Sequence, residues 1–123
     1  MREDLNMVLI WYSKCSTCKK MKNFLDEHEI RYELRDIMTQ TPTAEELRHW
    51  HQRSGLPIRR FFNSSGDLYR SLDLKNKLDT MSESEQYDIL ASAPYLIRRP
   101  LLVSDTIVLV GSRIPEWEQA LLG

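Results

Sequence analysis

Residues 7–20 read MVLIWYSKCSTCKK, and this stretch carries the only two cysteines of the chain, Cys15 and Cys18, as a C-x-x-C motif. An apolar, β-prone run precedes the motif and an amphipathic helical pattern follows it, which predicts a strand-to-helix junction. The first sulfur then lies at a helix N-terminus, where unsatisfied backbone N–H groups and the helix dipole favour an anion such as a thiolate. The stretch therefore predicts a sulfur nucleophile or a redox pair at the turn.

The composition is that of a globular domain, and it limits the classes of function. The chain has 123 residues, 41% of them hydrophobic and 28% charged, which is enough to bury a core. Its net charge of −1 argues against broad electrostatic binding of nucleic acid. No apolar run approaches the about 20 residues of a membrane helix, and residues 1–6 lack the apolar segment of a signal peptide. We therefore expect a cytoplasmic protein with no membrane or direct nucleic-acid partner, in which the cysteine pair is catalytic or sensory.

The first third of the chain predicts a βαβ unit. A buried strand over about 7–13 leads into a helix over about 16–28, in which apolar residues recur at three- and four-residue steps. A second strand is expected over about 30–37, where apolar side chains alternate with charged ones. These apolar side chains are Ile30, Tyr32 and Leu34. Because a helix joins the two strands, we expect them to be parallel.

Two capping boxes mark helices in the middle of the chain. Thr43-Ala44-Glu45-Glu46 opens a helix that ends at Gly55, and Ser82-Glu83-Ser84-Glu85 opens one that ends before Pro94. Short helical segments are expected between them, over about 58–62 and 68–78, with a turn cluster at 63–66 that separates the two. The middle of the chain is therefore predicted to be helical.

The last third returns to strands. Two short apolar runs at 101–103 and 107–110 flank a three-residue loop, Ser104-Asp105-Thr106, which predicts an antiparallel hairpin. Pro115 then opens a terminal helix. The order βαβ, helices, ββα resembles the thioredoxin-like arrangement of α/β proteins. We therefore predict a thioredoxin-like, glutaredoxin-type mixed sheet with an inserted helical subdomain.

The same order predicts the domain organisation. No repeat, low-complexity tract or long linker divides the chain, so we expect one domain over residues 1–123. Its thioredoxin-like core is expected over about 7–40 and 95–123, and the helical insert over about 41–94. The cysteine motif therefore falls in the core and not in the insert.

Four stretches of the chain carry a resemblance to a known family. They are KCSTCKK at 14–20, GLPIRRFFNSSG at 55–66, LYR at 68–70 and LIRRPL at 96–101. The second and the fourth are far more specific than the C-x-x-C motif alone. On these stretches the chain resembles the ArsC/Spx family, which contains arsenate reductases, the Spx and MgsR transcription regulators and YusI-like proteins. The resemblance implies a cis peptide bond between Arg99 and Pro100, packed beside the cysteines.

The resemblance also implies roles for individual residues. Cys15 matches the nucleophilic cysteine of the reductases, and Cys18 matches the second cysteine of the Spx redox pair. Arg99 matches an arginine that contacts the oxyanion, and Lys19 stands where the reductases carry a further arginine. Trp11 replaces a histidine of the reductase pattern. Cys15 and Cys18 are therefore the candidate catalytic pair, and Lys19 and Arg99 are the candidate oxyanion-binding residues.

The family implies two functions of different classes. An arsenate reductase-like oxidoreductase would form an adduct on Cys15 and resolve it as a Cys15–Cys18 disulfide. Such an enzyme would hold no bound cofactor and would be reset by thioredoxin, glutaredoxin or glutathione. A redox-sensing transcription regulator would instead bind the C-terminal domain of the RNA polymerase α subunit, with the disulfide as its signal. Both interpretations stay open at the level of the sequence, as does a third, in which the chain is a relic of the family that has lost both roles.

Two plainer interpretations of the cysteines also stay open. A zinc site would need two further ligands beyond the C-x-x-C pair. The histidines of the chain are His28, His49 and His51. The last two lie two positions apart on a predicted helix and face different ways, so no metal site is expected. The cysteines could otherwise be inert core residues, since cysteine is often buried.

Overall fold

The structure is a computed structural model that describes residues 7–123, which contain four strands and six α-helices. The strands are β1 (Val8–Trp11), β2 (Glu33–Asp36), β3 (Leu101–Val103) and β4 (Val108–Val110). The helices are α1 (Ser16–Glu27), α2 (Ala44–Ser54), α3 (Asp67–Ser71), α4 (Leu74–Lys77), α5 (Glu83–Ser92) and α6 (Ile114–Leu122). Short 3₁₀ turns cover Ile58–Phe61, Leu78–Thr80 and Pro94–Leu96. The expectation about a signal peptide falls on residues 1–6, outside the described residues.

The chain separates into two units by its internal contacts. One unit combines the residues up to Ile37 with Arg99–Gly123, and it contains the four strands with α1 and α6. The other unit, Met38–Arg98, contains α2 to α5 and the 3₁₀ turns. The predicted insert, over about 41–94, lies inside this second unit; that the two units form one domain stays a prediction. Across residues 7–123, no helix combines the length and the apolar character that crossing a membrane requires.

The strands form one mixed sheet in the order β2-β1-β3-β4. Strands β1 and β2 are parallel, with Val8 opposite Glu33, because α1 carries the chain back to the same end of the sheet. Strand β3 pairs antiparallel with both β1 and β4. The predicted parallel pair and the predicted hairpin are therefore confirmed, and the arrangement is the thioredoxin-like α/β fold.

A hydrophobic cluster joins one face of the sheet to α1 and α6. Its buried members are Met7, Leu9, Met21, Phe24, Leu25, Leu102, Trp117 and Leu121. The rings of Phe24 and Trp117 meet edge to face with centroids 6.3 Å apart, a geometry that the ring quadrupoles favour. The cluster holds α1 against the sheet, and so it sets where the N-terminus of α1 lies.

Strand β2 differs from its prediction in length and in burial. It covers Glu33–Asp36 rather than about 30–37. Leu34 is in register with Leu9, which in turn is in register with Leu102, so the three side chains share the face that the helices cover. Leu9 and Leu102 are fully buried, whereas Leu34 is 45% exposed. The reason is position in the sheet: β2 is an edge strand with a neighbour on one side only.

Both predicted capping boxes are present in the helical unit. The Thr43 hydroxyl accepts a hydrogen bond from the Glu46 N–H at 3.1 Å, and the Glu46 carboxylate accepts one from the Thr43 N–H at 3.0 Å. Ser82 and Glu85 exchange the same pair of bonds at 3.1 and 2.8 Å. Helix α2 ends as predicted at Gly55, whose φ of 71° is the left-handed conformation that glycine adopts without strain.

The β3–β4 loop is one residue longer than predicted. The Ser104 hydroxyl accepts hydrogen bonds from the backbone N–H groups of Thr106 and Ile107, at 3.2 and 3.1 Å. These bonds hold Ile107 in the turn, so β4 begins at Val108. Helix α6 begins at Ile114, with Pro115 at its start as predicted.

Candidate active site

The C-x-x-C motif lies where β1 turns into α1. Cys15 is the last extended residue before the helix, with φ −105° and ψ 119°. Its N–H donates to the Tyr12 carbonyl at 3.0 Å, and its carbonyl accepts the Lys19 N–H at 3.1 Å, the first bond of the helix. Cys15 is therefore the N-cap residue of α1, and its sulfur lies at the positive end of the helix dipole, as the sequence predicted.

The Cys15 sulfur is surrounded by hydrogen-bond donors. It is half-buried, and its Sγ lies 3.1 Å from the Thr17 hydroxyl oxygen. Burial opposes ionisation, but hydrogen bonds from the Thr17 hydroxyl, from the Cys18 thiol and backbone N–H, and from Arg99 outweigh it, so the pKa of Cys15 is lowered. The surroundings of Cys15 therefore favour the thiolate, which speaks against the interpretation of Cys15 as an inert core residue.

Cys18 has the opposite environment. Its side chain is fully buried, and it follows Cys15 by three positions on the first turn of α1. Burial, followed by the hydrogen bond that it makes with Cys15, raises the pKa of Cys18 to about 12. Both cysteines are free thiols. The pair therefore consists of one ionisable, accessible sulfur and one neutral, buried sulfur in contact with it.

Arg99 reaches the same sulfur from a different part of the chain. The antiparallel pairing of β1 with β3 sets Ile10 opposite Leu101, so the residues just before β3 lie beside the residues just after β1. Arg99 donates a hydrogen bond to Cys15, and its guanidinium carbon lies 5.5 Å from the centroid of the Tyr12 ring. The Arg99–Pro100 peptide bond is cis, in agreement with the expectation, and Pro100 is buried.

The structure brings together some of the predicted residues and adds two others. Cys15, Cys18 and Arg99 meet at the start of α1, whereas Lys19 is exposed on that helix and is absent from the groups that shift the pKa of Cys15. The role of Lys19 in oxyanion binding stays a prediction. Sequence reasoning missed Thr17 and Tyr12. Thr17 could have been found, because a hydroxyl two positions after an N-cap residue can reach its side chain, but nothing in the sequence indicates that Tyr12 contacts Arg99.

A zinc site has no support in the described part of the chain. Within residues 7–123 there is no group of three or more histidine, cysteine, aspartate or glutamate side chains arranged to hold a metal ion. Each histidine instead makes a local contact: His28 with the Phe24 carbonyl, His49 with Glu45, and His51 with the Tyr87 hydroxyl.

Comparison with known proteins shows which family the chain resembles. Residues 10–120 match the model of the ArsC family. The chain is 43% identical over 115 residues to the uncharacterized protein YusI of Bacillus subtilis (strain 168), which covers 94% of this chain and 98% of YusI. It is 29% identical over 100 residues to the regulatory protein MgsR of the same organism, over 81% of this chain and 78% of MgsR.

Solved structures resemble the whole chain in the same way. An ArsC family related protein from Bacteroides fragilis is 44% identical and superposes with a TM-score of 0.90, over 95% of this chain and 98% of the other. A possible arsenate reductase from Streptococcus mutans UA159 is 39% identical with a TM-score of 0.83, over 91% of this chain and 97% of the other. Both likenesses cover more than nine-tenths of this chain.

Proposed function

We propose a function from one premise: this chain belongs to the ArsC family. We infer that it is an arsenate reductase-like thiol–disulfide oxidoreductase of the cytoplasm, in which Cys15 attacks an oxidised substrate and Cys18 resolves the adduct. One observation carries the proposal. A half-exposed sulfur with a lowered pKa touches a buried sulfur with a raised pKa, at the start of a helix. That asymmetry is what a nucleophile and a resolving thiol require.

The first step is attack by the Cys15 thiolate. On a disulfide substrate, the thiolate displaces one sulfur, so that a Cys15–substrate disulfide forms and the second substrate sulfur leaves as a thiolate. The donors around Cys15 lower its pKa, which raises the fraction of the protein whose Cys15 sulfur is ionised and can react. Cys18, buried and neutral, does not compete for the substrate.

The second step is resolution by Cys18. The Cys18 thiol gives its proton to solvent, and its sulfur attacks the Cys15 sulfur, so that the Cys15–Cys18 bond forms and the remaining substrate fragment leaves as a thiolate. Two contributions to the raised pKa of Cys18 come from Cys15, through their hydrogen bond and through the Cys15 charge. Both contributions disappear once Cys15 is tied up in a disulfide, while Arg99 still favours the Cys18 thiolate. The first step therefore activates the second.

The internal disulfide completes a two-electron transfer from the protein to its substrate. A second turnover needs an external dithiol or two thiols to reduce the Cys15–Cys18 bond, and thioredoxin, glutaredoxin or glutathione has the right chemistry. No bound cofactor enters any of these steps. We propose a small oxyanion as an additional substrate class, because Arg99 donates to the Cys15 sulfur on which such a group would be held.

Trapping of the two intermediates tests the order of the steps. We expect Cys18→Ser treated with oxidised glutathione to stop at a glutathione adduct on Cys15, because no sulfur remains to resolve it. The unmodified chain should proceed to the internal disulfide, and Cys15→Ser should form neither product. Intact-protein mass spectrometry before and after reduction distinguishes the adduct, the internal disulfide and the unreacted protein. An adduct that forms on Cys18, or a wild-type chain that stops at the adduct, contradicts the proposal.

A second function is favoured by the likeness to MgsR, whose name describes a regulatory protein. In that case the Cys15–Cys18 disulfide is a signal, and the protein binds the C-terminal domain of the RNA polymerase α subunit. Two measurements distinguish these functions: binding of the protein to that isolated domain, and substrate turnover coupled to the oxidation of NADPH. Stoichiometric binding that changes with the redox state, without turnover, supports the regulator. Turnover of arsenate or of a glutathione mixed disulfide, without binding, supports the oxidoreductase.

A further inference from the structure

We propose that Tyr12 is a positioning residue, whose ring holds the Arg99 guanidinium in place beside the Cys15 sulfur. The inference rests on the proposed function and deepens it by naming what orients the cation. The guanidinium carbon of Arg99 lies 5.5 Å from the centroid of the Tyr12 ring, within the range of a cation–π contact. The same side chain donates a hydrogen bond to Cys15.

A guanidinium group offers different parts of itself for two such contacts. The group is planar, with its N–H donors in the plane and a flat face that stacks on aromatic rings. A face laid over the Tyr12 ring leaves the in-plane donors available to the Cys15 sulfur. Without the ring, the long Arg99 side chain would sample more rotamers. Ordering it for this hydrogen bond would then cost more conformational entropy, so the bond would form less often.

Tyr12 is also tied to the Cys15 backbone. Its carbonyl accepts the Cys15 N–H at 3.0 Å, in the turn that leads from β1 into α1. One residue therefore sets both the backbone from which the sulfur extends and the ring over which the cation lies. A substitution of the Tyr12 side chain keeps the carbonyl, so it tests the ring separately from the turn.

The test measures the rate of Cys15 alkylation by iodoacetamide as a function of pH, on the full chain in its reduced form. We expect Tyr12→Leu to slow alkylation at pH values below the wild-type midpoint by about two- to tenfold, the range that a cation–π contact supports. Tyr12→Phe keeps the ring and should restore the wild-type profile. In an Arg99→Ala background, Tyr12→Leu should have no further effect, because the cation that the ring holds is gone.

This double-mutant cycle distinguishes an effect of Tyr12 that acts through Arg99 from an effect that is independent of Arg99. Equal slowing by Tyr12→Leu in both backgrounds would show that Tyr12 acts without Arg99 and would overturn the inference, as would a wild-type profile for Tyr12→Leu. If Tyr12→Leu does not fold by circular dichroism, Tyr12→Met carries the same expectation. The proposed function fails separately: a wild-type Cys15 that alkylates with the pH profile of an ordinary thiol refutes it, whatever Tyr12 does.

Discussion

The two sulfurs differ in chemistry because they lie on different parts of one helix. Cys15 is the N-cap residue, outside the first turn, where its side chain faces donors. Cys18 begins the apolar stripe of α1, which continues three and seven positions later with Met21 and Leu25, all fully buried. The three-residue spacing of the motif therefore separates an accessible thiolate from a buried thiol, and it gives the proposed reaction its direction.

Thr17 offers a direct test of how the Cys15 thiolate is stabilised. Its hydroxyl oxygen lies 3.1 Å from the Cys15 sulfur, and its hydrogen bond lowers the pKa of Cys15. We expect Thr17→Val to shift the pH midpoint of Cys15 alkylation upward by about one unit, which corresponds to the lower end of the range for a hydrogen bond to a charged group. Thr17→Ser keeps the hydroxyl and serves as the control. Identical midpoints for the valine and serine variants would show that the hydroxyl does not stabilise the thiolate.

Among the strands, the position of a strand in the sheet affects the burial of its side chains more than the sequence pattern does. The alternation of apolar and charged residues around Leu34 is the pattern of a half-buried strand, yet Leu34 is 45% exposed. Leu9, in register with it on the neighbouring strand, is fully buried. The two leucines share a face of the sheet, and they differ only in whether their strand is internal or at the edge.

The matched pair of leucines predicts a large difference in stability. We expect Leu9→Ala to lower the free energy of unfolding by about 2–5 kcal/mol, because it opens a cavity in the packed core. Leu34→Ala should change it by about 0.5 kcal/mol or less, as surface substitutions usually do. Denaturant unfolding followed by circular dichroism measures both values. Comparable losses in the two variants would mean that the Leu34 side chain is covered in solution.

At the scale of the whole molecule, the two thiols couple stability to pH with opposite signs. The pKa of Cys15 is lower in the folded chain than in the unfolded chain, where it has the ordinary thiol value of 9.0. Between these two pKa values the unfolded chain binds more protons than the folded chain, so the free energy of unfolding rises with pH. The pKa of Cys18 is raised to about 12, so above pH 9.0 the folded state holds the extra proton and stability falls.

The contribution of Cys18 to the loss of stability above pH 9.0 can be tested by substitution. We expect the free energy of unfolding of the reduced chain to decline as pH rises from 9.0 towards 12, and Cys18→Ala to show a shallower decline over the same range. Cys15→Ala should keep a decline, because the burial that raises the pKa of Cys18 remains. Urea titrations at a series of pH values give the slopes. Parallel slopes for the wild type and Cys18→Ala would show that Cys18 does not cause the decline.

Local signals in the sequence predicted most of the architecture. The strand-to-helix junction at Cys15, the two capping boxes and the parallel and antiparallel pairings are all confirmed, because each depends on residues close together in the chain. The resemblance to the ArsC/Spx family also stands, since the ArsC model matches residues 10–120. The predicted loop after β3 was one residue too short, because the Ser104 side chain accepts a hydrogen bond from the Ile107 N–H and keeps Ile107 in the turn.

The order of the elements, the family and the placing of a cysteine pair at a helix start all follow from the amino-acid sequence alone. The full environment of that pair depends on the folded arrangement, because Arg99, one of the groups that create it, comes from a distant part of the chain. The pairing of β1 with β3 brings Arg99 to Cys15 and to the Tyr12 ring. Sheet order exposes Leu34, and packing of α1 buries Cys18. Pattern and propensity describe neighbours along the chain, whereas pKa and burial depend on neighbours in space.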